Sequence, residues 1–455
     1  MHIKRALAGR NAAFAALLLG MLMAALDTNV VVAALPTIAD SLGHPAAVGG
    51  VTAGFLLTVA VATPLHGSLS DRWGRRRTFV LSVLIFAISS LGCALAPSMF
   101  ALIASRAVQG IGASGLIVAA VAGMTELFDR AGLVRRQGWL TAMFAASSIG
   151  GAPLGGLLTA VAGWRAIFLV NLPISAMALA LGSRTIPRRS GPARRPFDVL
   201  GAIMITIVGA AVVVLGTVPP LWTLLLAGIA VLAATTFVLV ERRAASPLVP
   251  PALFADRGLT RAIAVTALSG VALFGTFTYV PLAIGAGPAT TGLLLLPMSA
   301  GQLVVTSSFA VLTRRKPRIA AWGRFGLALG VLGMLGIAAI PLFGLVAGLL
   351  GLAGAGAALG LSMQAYTLIG QAQAPRDLIG AGMATLTFAR QLGGSLGIAI
   401  FGWISAGASL PAAFLTAAAI LAFALIIAPR DDPATPKPPH GTPHNHRPAP
   451  RSGPR

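Results

Sequence analysis

The sequence contains one cysteine, Cys93, and only three lysines among its 455 residues. A single cysteine allows no intrachain disulfide and supplies no thiolate cluster for a metal ion. The lysines lie outside the glycine-rich sequence that cradles the phosphates of ATP in a P-loop; they are Lys4, Lys316 and Lys437. The sequence therefore predicts a protein with no metal site and no cofactor, whose energy source is not ATP.

Charged side chains make up only 10% of the residues, and 11 residues are acidic. A soluble protein carries about a quarter charged residues, so this composition excludes a water-soluble core. His66 is the only histidine within the long apolar runs, and no second acid lies near it. An enzyme would need metal ligands or a nucleophile beside a base, so no enzyme activity is predicted. A membrane-embedded enzyme or a non-transporting receptor stays open as an alternative of another class.

Apolar runs occupy most of the chain, and 56% of the residues are hydrophobic. Each run of about twenty residues can cross the hydrocarbon layer of a bilayer as a helix. The first run continues to about Pro36 without a small-residue cleavage site, so we interpret it as an uncleaved span rather than a signal peptide. The sequence predicts an all-α polytopic membrane protein with about fourteen transmembrane helices, near 12–38, 48–70, 78–96, 99–124, 138–161, 165–183, 199–217, 221–240, 260–283, 290–312, 322–340, 343–369, 379–403 and 409–428.

The formal net charge of +22 comes from arginines concentrated in alternate connections between these spans. Such alternation is typical of the cytoplasmic loops of membrane proteins and does not indicate a nucleic-acid partner. It predicts a multi-pass protein of the inner (cytoplasmic) membrane with both termini in the cytoplasm. The stretches 184–195 and 241–261 are both basic whereas 217–221 is uncharged, so a pair of spans is expected between them.

The spans divide into six, an additional pair and six more. The predicted units are a first bundle at 1–185, a linker with two extra spans at 186–258, a second bundle at 259–429 and a disordered cytoplasmic tail at 430–455. A weak repeat relates the bundles, because the fifth and thirteenth spans each carry a Gly-xxx-Gly pair that lets helix backbones approach closely. The pairs are Gly151/Gly155 and Gly393/Gly397. Repeated halves place the substrate site of many transporters between them.

The connection between the second and third spans carries the most specific motif, GSLSDRWGRRR at 67–77. It resembles the signature loop of the major facilitator superfamily. We expect Gly67 and Gly74 to permit a tight turn, while Asp71 and Arg75 join a charge network at the cytoplasmic face. The resemblance implies that Glu126, at the end of the fourth span, is the acidic partner of this network. These five residues are predicted to form a conformational latch.

The fourth span contains RAVQGIG at 106–112, which resembles a second superfamily motif whose buried arginine takes part in proton coupling. A charge inside a span is a functional candidate because its burial is expensive. The alternative is that Arg106 reaches the membrane surface along its aliphatic chain. Asp27 is the only acid well inside a span, which predicts that it carries the proton and interacts with Arg106. Alternatively, Asp27 only hydrogen-bonds to Thr28 or Asn29.

The fifth span contains GAPLGG at 151–156, which resembles the motif of the superfamily's antiporters although the proline lies one residue late. Bending by Pro153 and close packing by Gly151, Gly155 and Gly156 survive that shift, so export is favoured. LDTNVVVAALP at 26–36 and WRAIFLVNLP at 164–173 closely resemble the fourteen-span drug:proton antiporters of the EmrB/QacA type. Residues 197–201 and 247–254 are also similar to that family. The resemblance covers about 12–428 and weakens in the second half, where Arg314 replaces an expected acid.

This resemblance implies a major facilitator fold and a proton-coupled antiporter that exports drug-like organic molecules. A transporter of one metabolite, such as a sugar, an amino acid or a siderophore, is the alternative. The expected partners are a small organic substrate, protons and the lipid bilayer, and the chain is expected to be monomeric. Arg106 and Arg390 are positive within spans, which favours neutral, weakly acidic or monocationic cargo over dications. Polar residues within spans are predicted to line the cavity: Asn29, Gln109, Gln302, Gln364 and Arg390.

Overall fold

The computed structural model describes residues 2–128, 130–187, 220–242, 251–316, 318–375, 378–407 and 409–430, together with Pro247 and a few isolated residues between 200 and 211. Within these ranges the only regular elements are α-helices and 3-10 helices, which are joined by short connections, and no strand occurs. The all-helical fold class is therefore confirmed. The tail 431–455 and most of the predicted span 199–217 lie outside the described residues.

The first set of helices ends at Thr185. Its members are α1 His2–Leu42, α2 Gly49–Trp73, α3 Arg75–Ala94, α4 Met99–Leu127, α5 Arg130–Ala162, α6 Ala166–Leu169 and α7 Asn171–Thr185. The last two form one span that is interrupted at Val170, so the set contains six spans. One further helix, α8 Pro220–Glu241, agrees with the predicted eighth span.

The second set begins after a 3-10 turn at Pro251–Ala255. Its members are α9 Arg257–Ile284, α10 Pro288–Leu294, α11 Leu296–Arg315, α12 Ile319–Ala338, α13 Ile340–Gln373, α14 Ile379–Gly407 and α15 Leu410–Ile427. Helices α10 and α11 form one span, so this set also contains six. Near its start α13 bends at Gly344, whose φ of 74° is in the left-handed region that glycine tolerates.

Eleven segments in the described part of the chain are long and apolar enough to cross a membrane. Helix α14 is also long enough, with 29 residues, but Arg390 and Gln391 make it less apolar. With α8, the described helices accommodate six spans before it and six after it. The count of fourteen and the predicted domain boundaries stay predictions, because the partner expected for α8 falls on undescribed residues.

The two sets pack internally in a similar way. In the first set α5 packs along α1, and in the second set α14 packs along α9. The Gly-xxx-Gly pairs lie on these contacts: Cβ atoms at Gly151 and Gly155 would overlap Asn29 and Val30 of α1, while Cβ atoms at Gly393 and Gly397 would overlap the backbone of α9. The glycines therefore allow the same close helix approach in both halves, as the repeat predicted. The sets meet mainly where α2 packs on α14 and α5 packs on α10.

Candidate functional site: a buried ion pair beside a cavity between the halves

Asp27 and Arg106 form an ion pair in the interior of the first set. Arg106 Nη1 donates to Asp27 Oδ2, and the exposed fractions of the two residues are 0% for Arg106 and 3% for Asp27. Arg106 therefore does not reach the membrane surface, and that alternative is wrong. The alternative partners of Asp27, Thr28 and Asn29, do not bond to it. Thr28 donates to a carbonyl of its own helix, and Asn29 donates to another such carbonyl and to Ser147 Oγ of α5.

Two amides hold the other carboxylate oxygen. Oδ1 of Asp27 accepts from Gln109 Nε2 at 3.1 Å and from Asn171 Nδ2 at 2.9 Å. Gln109 Nε2 also donates to Ser90 Oγ at 2.7 Å, and its Oε1 accepts from Arg106 Nη1 at 2.6 Å. A buried charge is tolerated when it is paired and hydrogen-bonded, and this carboxylate has partners on both oxygens. Asp27 thereby joins α1 to α4 and α7, and Gln109 extends this network to Ser90 of α3.

Arg106 also contacts α2, the helix that packs against the second set. Its Nε donates to the carbonyl of Val51 at 3.3 Å. Its guanidinium carbon lies 4.2 Å from the centre of the Phe55 ring, within the range of a cation–π contact. Two residues after Val51, the carbonyl of Ala53 accepts from Ser395 Oγ of α14 at 3.1 Å. Arg106 therefore touches α2 within two residues of a contact between the two sets.

A second charged contact lies at the other end of α2. Arg75 Nε donates to Glu126 Oε1 at 2.9 Å, and Arg75 Nη1 donates to Ser70 Oγ at 2.8 Å. Their side chains are 18% and 31% exposed for Arg75 and Glu126, so solvent screens this pair. The contact joins the ends of α2, α3 and α4, and the role of these residues as a latch stays a prediction. Asp71 belongs to α2, but its side chain lies outside the described residues.

The turn within the latch motif consists of Gly74 alone. Gly74 has a φ of 84°, which glycine adopts without the steric cost of a side chain, and it separates Trp73 from Arg75. Gly67 lies inside α2 with open space where its side chain would be. The prediction that Gly67 forms the turn is therefore wrong, because α2 continues for six residues beyond it.

The glycine-rich segment of α5 contacts both halves. Gly155 lies on the carbonyl of Val30 in α1, whereas a Cβ at Gly156 would overlap the carbonyl of Pro288 at the start of α10. Gly292 of α10 packs in turn on the carbonyl of Ala152, next to Pro153. This close contact between halves lies at the end of the bundle that carries the α1–α2 and α9–α10 connections, as does the Ala53–Ser395 hydrogen bond.

A cavity of about 220 Å³ lies between the two sets, next to the ion pair. Three of the five predicted lining residues lie on its wall: Asn29, Gln302 and Arg390. Four phenylalanines line it as well, namely Phe55, Phe144, Phe274 and Phe277, and the polar part includes Thr28, Ser147, Ser148, Ser299 and Gln391. Side chains from both sets thus enclose a mixed apolar and polar space, which is the composition of a small-molecule site.

Two predicted lining residues do not lie on the wall. Gln109 faces the ion pair instead, and α4 contributes Ala113 and Ile117 to the cavity. Gln364 follows Met363, which does line the cavity. Because successive residues of an α-helix point about 100° apart, Gln364 lies on a different face of α13. Those two expectations are corrected.

Some functional candidates were not found by sequence reasoning. Asn171 belongs to the stretch 164–173 that was singled out, but only the folded structure brings its amide to Asp27, 144 residues away. Ser90 and Gln391 carried no signal, because isolated polar residues in apolar runs are commonly structural.

The sequence was compared with models of known protein families. Residues 17–398 match the family model described as Major Facilitator Superfamily. The chain therefore belongs to the major facilitator superfamily, and it is a multi-pass membrane protein. Transporters of this superfamily carry small organic substrates across membranes.

Several curated relatives are about one third identical to this chain. An MFS-type transporter from Mycobacterium tuberculosis is 33% identical over 86% of the chain, which spans only 59% of that relative's length. The multidrug resistance protein Stp of the same species is 31% identical, with 85% of the chain and 75% of the relative covered. The puromycin resistance protein pur8 of Streptomyces alboniger is 32% identical, with coverages of 86% and 81%.

Among solved structures, a D-xylose-proton symporter superposes with a TM-score of 0.66 at 18% identity, covering 92% of this chain and 98% of that one. At this identity the likeness establishes the fold alone.

Proposed function

We propose that the protein is a proton-coupled antiporter of the fourteen-span drug:proton type, which exports drug-like organic molecules across the cytoplasmic membrane. The observation that carries the proposal is the buried Asp27–Arg106 pair beside a cavity enclosed by both sets of helices. The relatives named for multidrug and puromycin resistance support drug-like cargo. No enzyme activity is proposed.

Protonation of Asp27 provides a physical route from proton to conformation. A neutral carboxyl no longer balances the charge of Arg106. Loss of one partner of a buried ion pair destabilises the conformation that contains it by on the order of 3–5 kcal/mol. Arg106 then gains from any rearrangement that gives it other partners. Its contacts to Val51 and Phe55 transmit such a rearrangement to α2, and α2 packs on α14 of the other half.

The described contacts between halves support a rocking mechanism. Both the Gly156–Pro288 contact and the Ala53–Ser395 hydrogen bond lie at the end that the predicted topology places outside the cell. With this topology, the described conformation has its cavity closed toward the exterior, and substrate enters from the cytoplasm before export. A proton taken up at Asp27 from outside would then travel inward with the substrate-free carrier and be released to the cytoplasm, where the Asp27–Arg106 pair of this conformation forms again.

The Arg75–Glu126 contact has a different proposed role. Neither of its residues lines the cavity, and with Ser70 the contact joins the ends of three helices of the first set. We assign it to the relative stability of the two conformations rather than to selection of cargo.

Inverted membrane vesicles test the proposed function. Respiration acidifies their interior, and an exporter that exchanges substrate for protons dissipates this gradient when its substrate is added. We expect compounds from a drug panel to dissipate the proton gradient in vesicles that contain the protein and not in control vesicles. A response to none of the drugs, but to one sugar, amino acid or siderophore, would favour the metabolite transporter. A response to no compound would reject antiport.

A further inference from the structure

Arg390 of α14 has an unusual environment in the cavity between the halves. It is the only ionisable side chain among the described residues that line this cavity. In the described part of the chain, no hydrogen bond or ion pair is formed by its guanidinium, whereas Arg106 is paired with Asp27. Asp27 bonds to Arg106, Gln109 and Asn171, and no bond from it to Arg390 occurs among the described residues.

The neighbouring residue supplies a second unfulfilled group. Gln391 also lines the cavity, and its Oε1 is buried without a hydrogen-bond partner among the described residues. Buried polar atoms are nearly always hydrogen-bonded, so an unpaired acceptor on a cavity wall is suited to a donor carried by a ligand. A ligand with an anionic group and a nearby hydroxyl or N–H donor would satisfy Arg390 and Gln391 together.

An aromatic surface lies next to these two residues. Gly394 is one helical turn after Arg390, and the ring of Phe274 lies 3.0 Å from where a Cβ of Gly394 would be. The absence of a side chain at Gly394 therefore lets Phe274 lie against α14 close to Arg390. Phe277, one turn beyond Phe274 on α9, lines the cavity too. A flat aromatic ring can pack here while a charged substituent reaches the guanidinium.

We propose that Arg390, Gln391 and Phe274 form a subsite for aromatic organic anions, in which Arg390 binds an ionised carboxylate, Gln391 accepts from a hydroxyl on the ligand and Phe274 packs on its ring. A planar guanidinium matches a carboxylate through two parallel hydrogen bonds. The subsite rests on the proposed transport function and deepens it, because it names the charge and shape of cargo that the cavity prefers.

A series of ligands on one scaffold tests the subsite. Binding of naphthoate, its neutral methyl ester and naphthylmethylammonium is measured by calorimetry with the purified full-length protein in lipid nanodiscs. We expect wild-type protein to bind naphthoate at least about tenfold more tightly than the ester, since a hydrogen bond to a charged group is worth that much. The ammonium compound should bind most weakly.

Three variants locate the effect. Arg390→Gln should remove the preference for naphthoate while changing affinity for the ester less than about threefold, and Arg390→Lys should keep part of the preference. Gln391→Leu should abolish the additional affinity of a hydroxynaphthoate over naphthoate. Gln364→Ala is the matched control, because this glutamine of the same cavity region does not lie on the wall.

The outcomes are distinguishable from failure of the transport function. Equal binding of acid and ester by wild-type protein, or an unchanged preference in Arg390→Gln, would overturn the subsite even if vesicles show drug-dependent proton exchange. If Arg390→Gln does not fold, the wild-type preference and the Gln391→Leu comparison still decide the question. Absence of proton exchange with every compound would reject antiport without bearing on which ligand the cavity binds.

Discussion

Arg106 of α4 donates to the carboxylate of Asp27 in α1, and both side chains are almost completely buried. In the sequence Asp27 directly precedes two residues of the cavity wall, Thr28 and Asn29. Arg106 touches α2 through Val51 and Phe55. The pair therefore adjoins both the cavity wall and α2, a helix that contacts the other half. That position makes its charge state suitable for coupling substrate binding to movement of the halves.

Gly156 provides a test of the contact between halves. A methyl group there would overlap the carbonyl of Pro288, so Gly156→Ala should disfavour the conformation described here by about 1–3 kcal/mol, the usual cost of overpacking. We expect increased labelling of a cysteine at Ser147, on the cavity wall, by an impermeant thiol reagent added from outside. Gly150→Ala is the control, because its side chain would meet open space. Equal labelling in both variants would mean that the α5–α10 contact does not control access.

The latch contact should affect all cargo alike. Glu126→Gln keeps the shape of the side chain but removes its charge, and a partly exposed ion pair is worth at most about 1 kcal/mol. Transport of every substrate should therefore fall by a similar factor of up to about fivefold. Exchange of the charges, Arg75→Glu with Glu126→Arg, should recover part of the loss. Loss of one compound alone, with others unaffected, would instead place Glu126 in cargo selection.

Topology is tested with cysteines on a Cys93→Ala background. Cys93 makes only a long contact of 3.7 Å to Gln109, so its replacement should leave the network intact. A cysteine at Val218, in the uncharged connection, should react with an impermeant thiol reagent in intact cells. A cysteine at Lys316 should react only after lysis, because the basic connections are predicted to face the cytoplasm. Protection of Val218 until lysis would contradict the proposed count of spans.

The sequence predicted the helices and the charged pair well because their signals are local and strong. An acid such as Asp27 within an apolar run is expensive to bury, so its need for a partner follows from its position in the sequence alone. The positions of α12 and α13, on either side of Ala339, also agree with the two spans predicted there.

Side-chain orientation was harder to predict. Gln109 and Gln364 were expected on the cavity wall only because they are polar, whereas the rotation of each helix decides which face it presents. The contacts of Asn171 with Asp27 and of Gly156 with Pro288 join residues more than a hundred positions apart. Such contacts depend on the packing of whole helices, and no local pattern in one sequence specifies them.

Replacement of Asp27 by asparagine is the most direct test of the central claim that this residue carries the coupled proton. Asp27→Asn keeps the size of the side chain and much of its hydrogen bonding but cannot titrate. Asp40→Asn, an exposed acid on the same helix, is the control. In inverted vesicles that respire, we predict that Asp27→Asn reduces substrate-driven proton release and uphill substrate uptake to the level of vesicles without the protein, while Asp40→Asn resembles wild type. Uphill uptake coupled to proton movement at a near wild-type rate in Asp27→Asn would show that the proton is carried elsewhere.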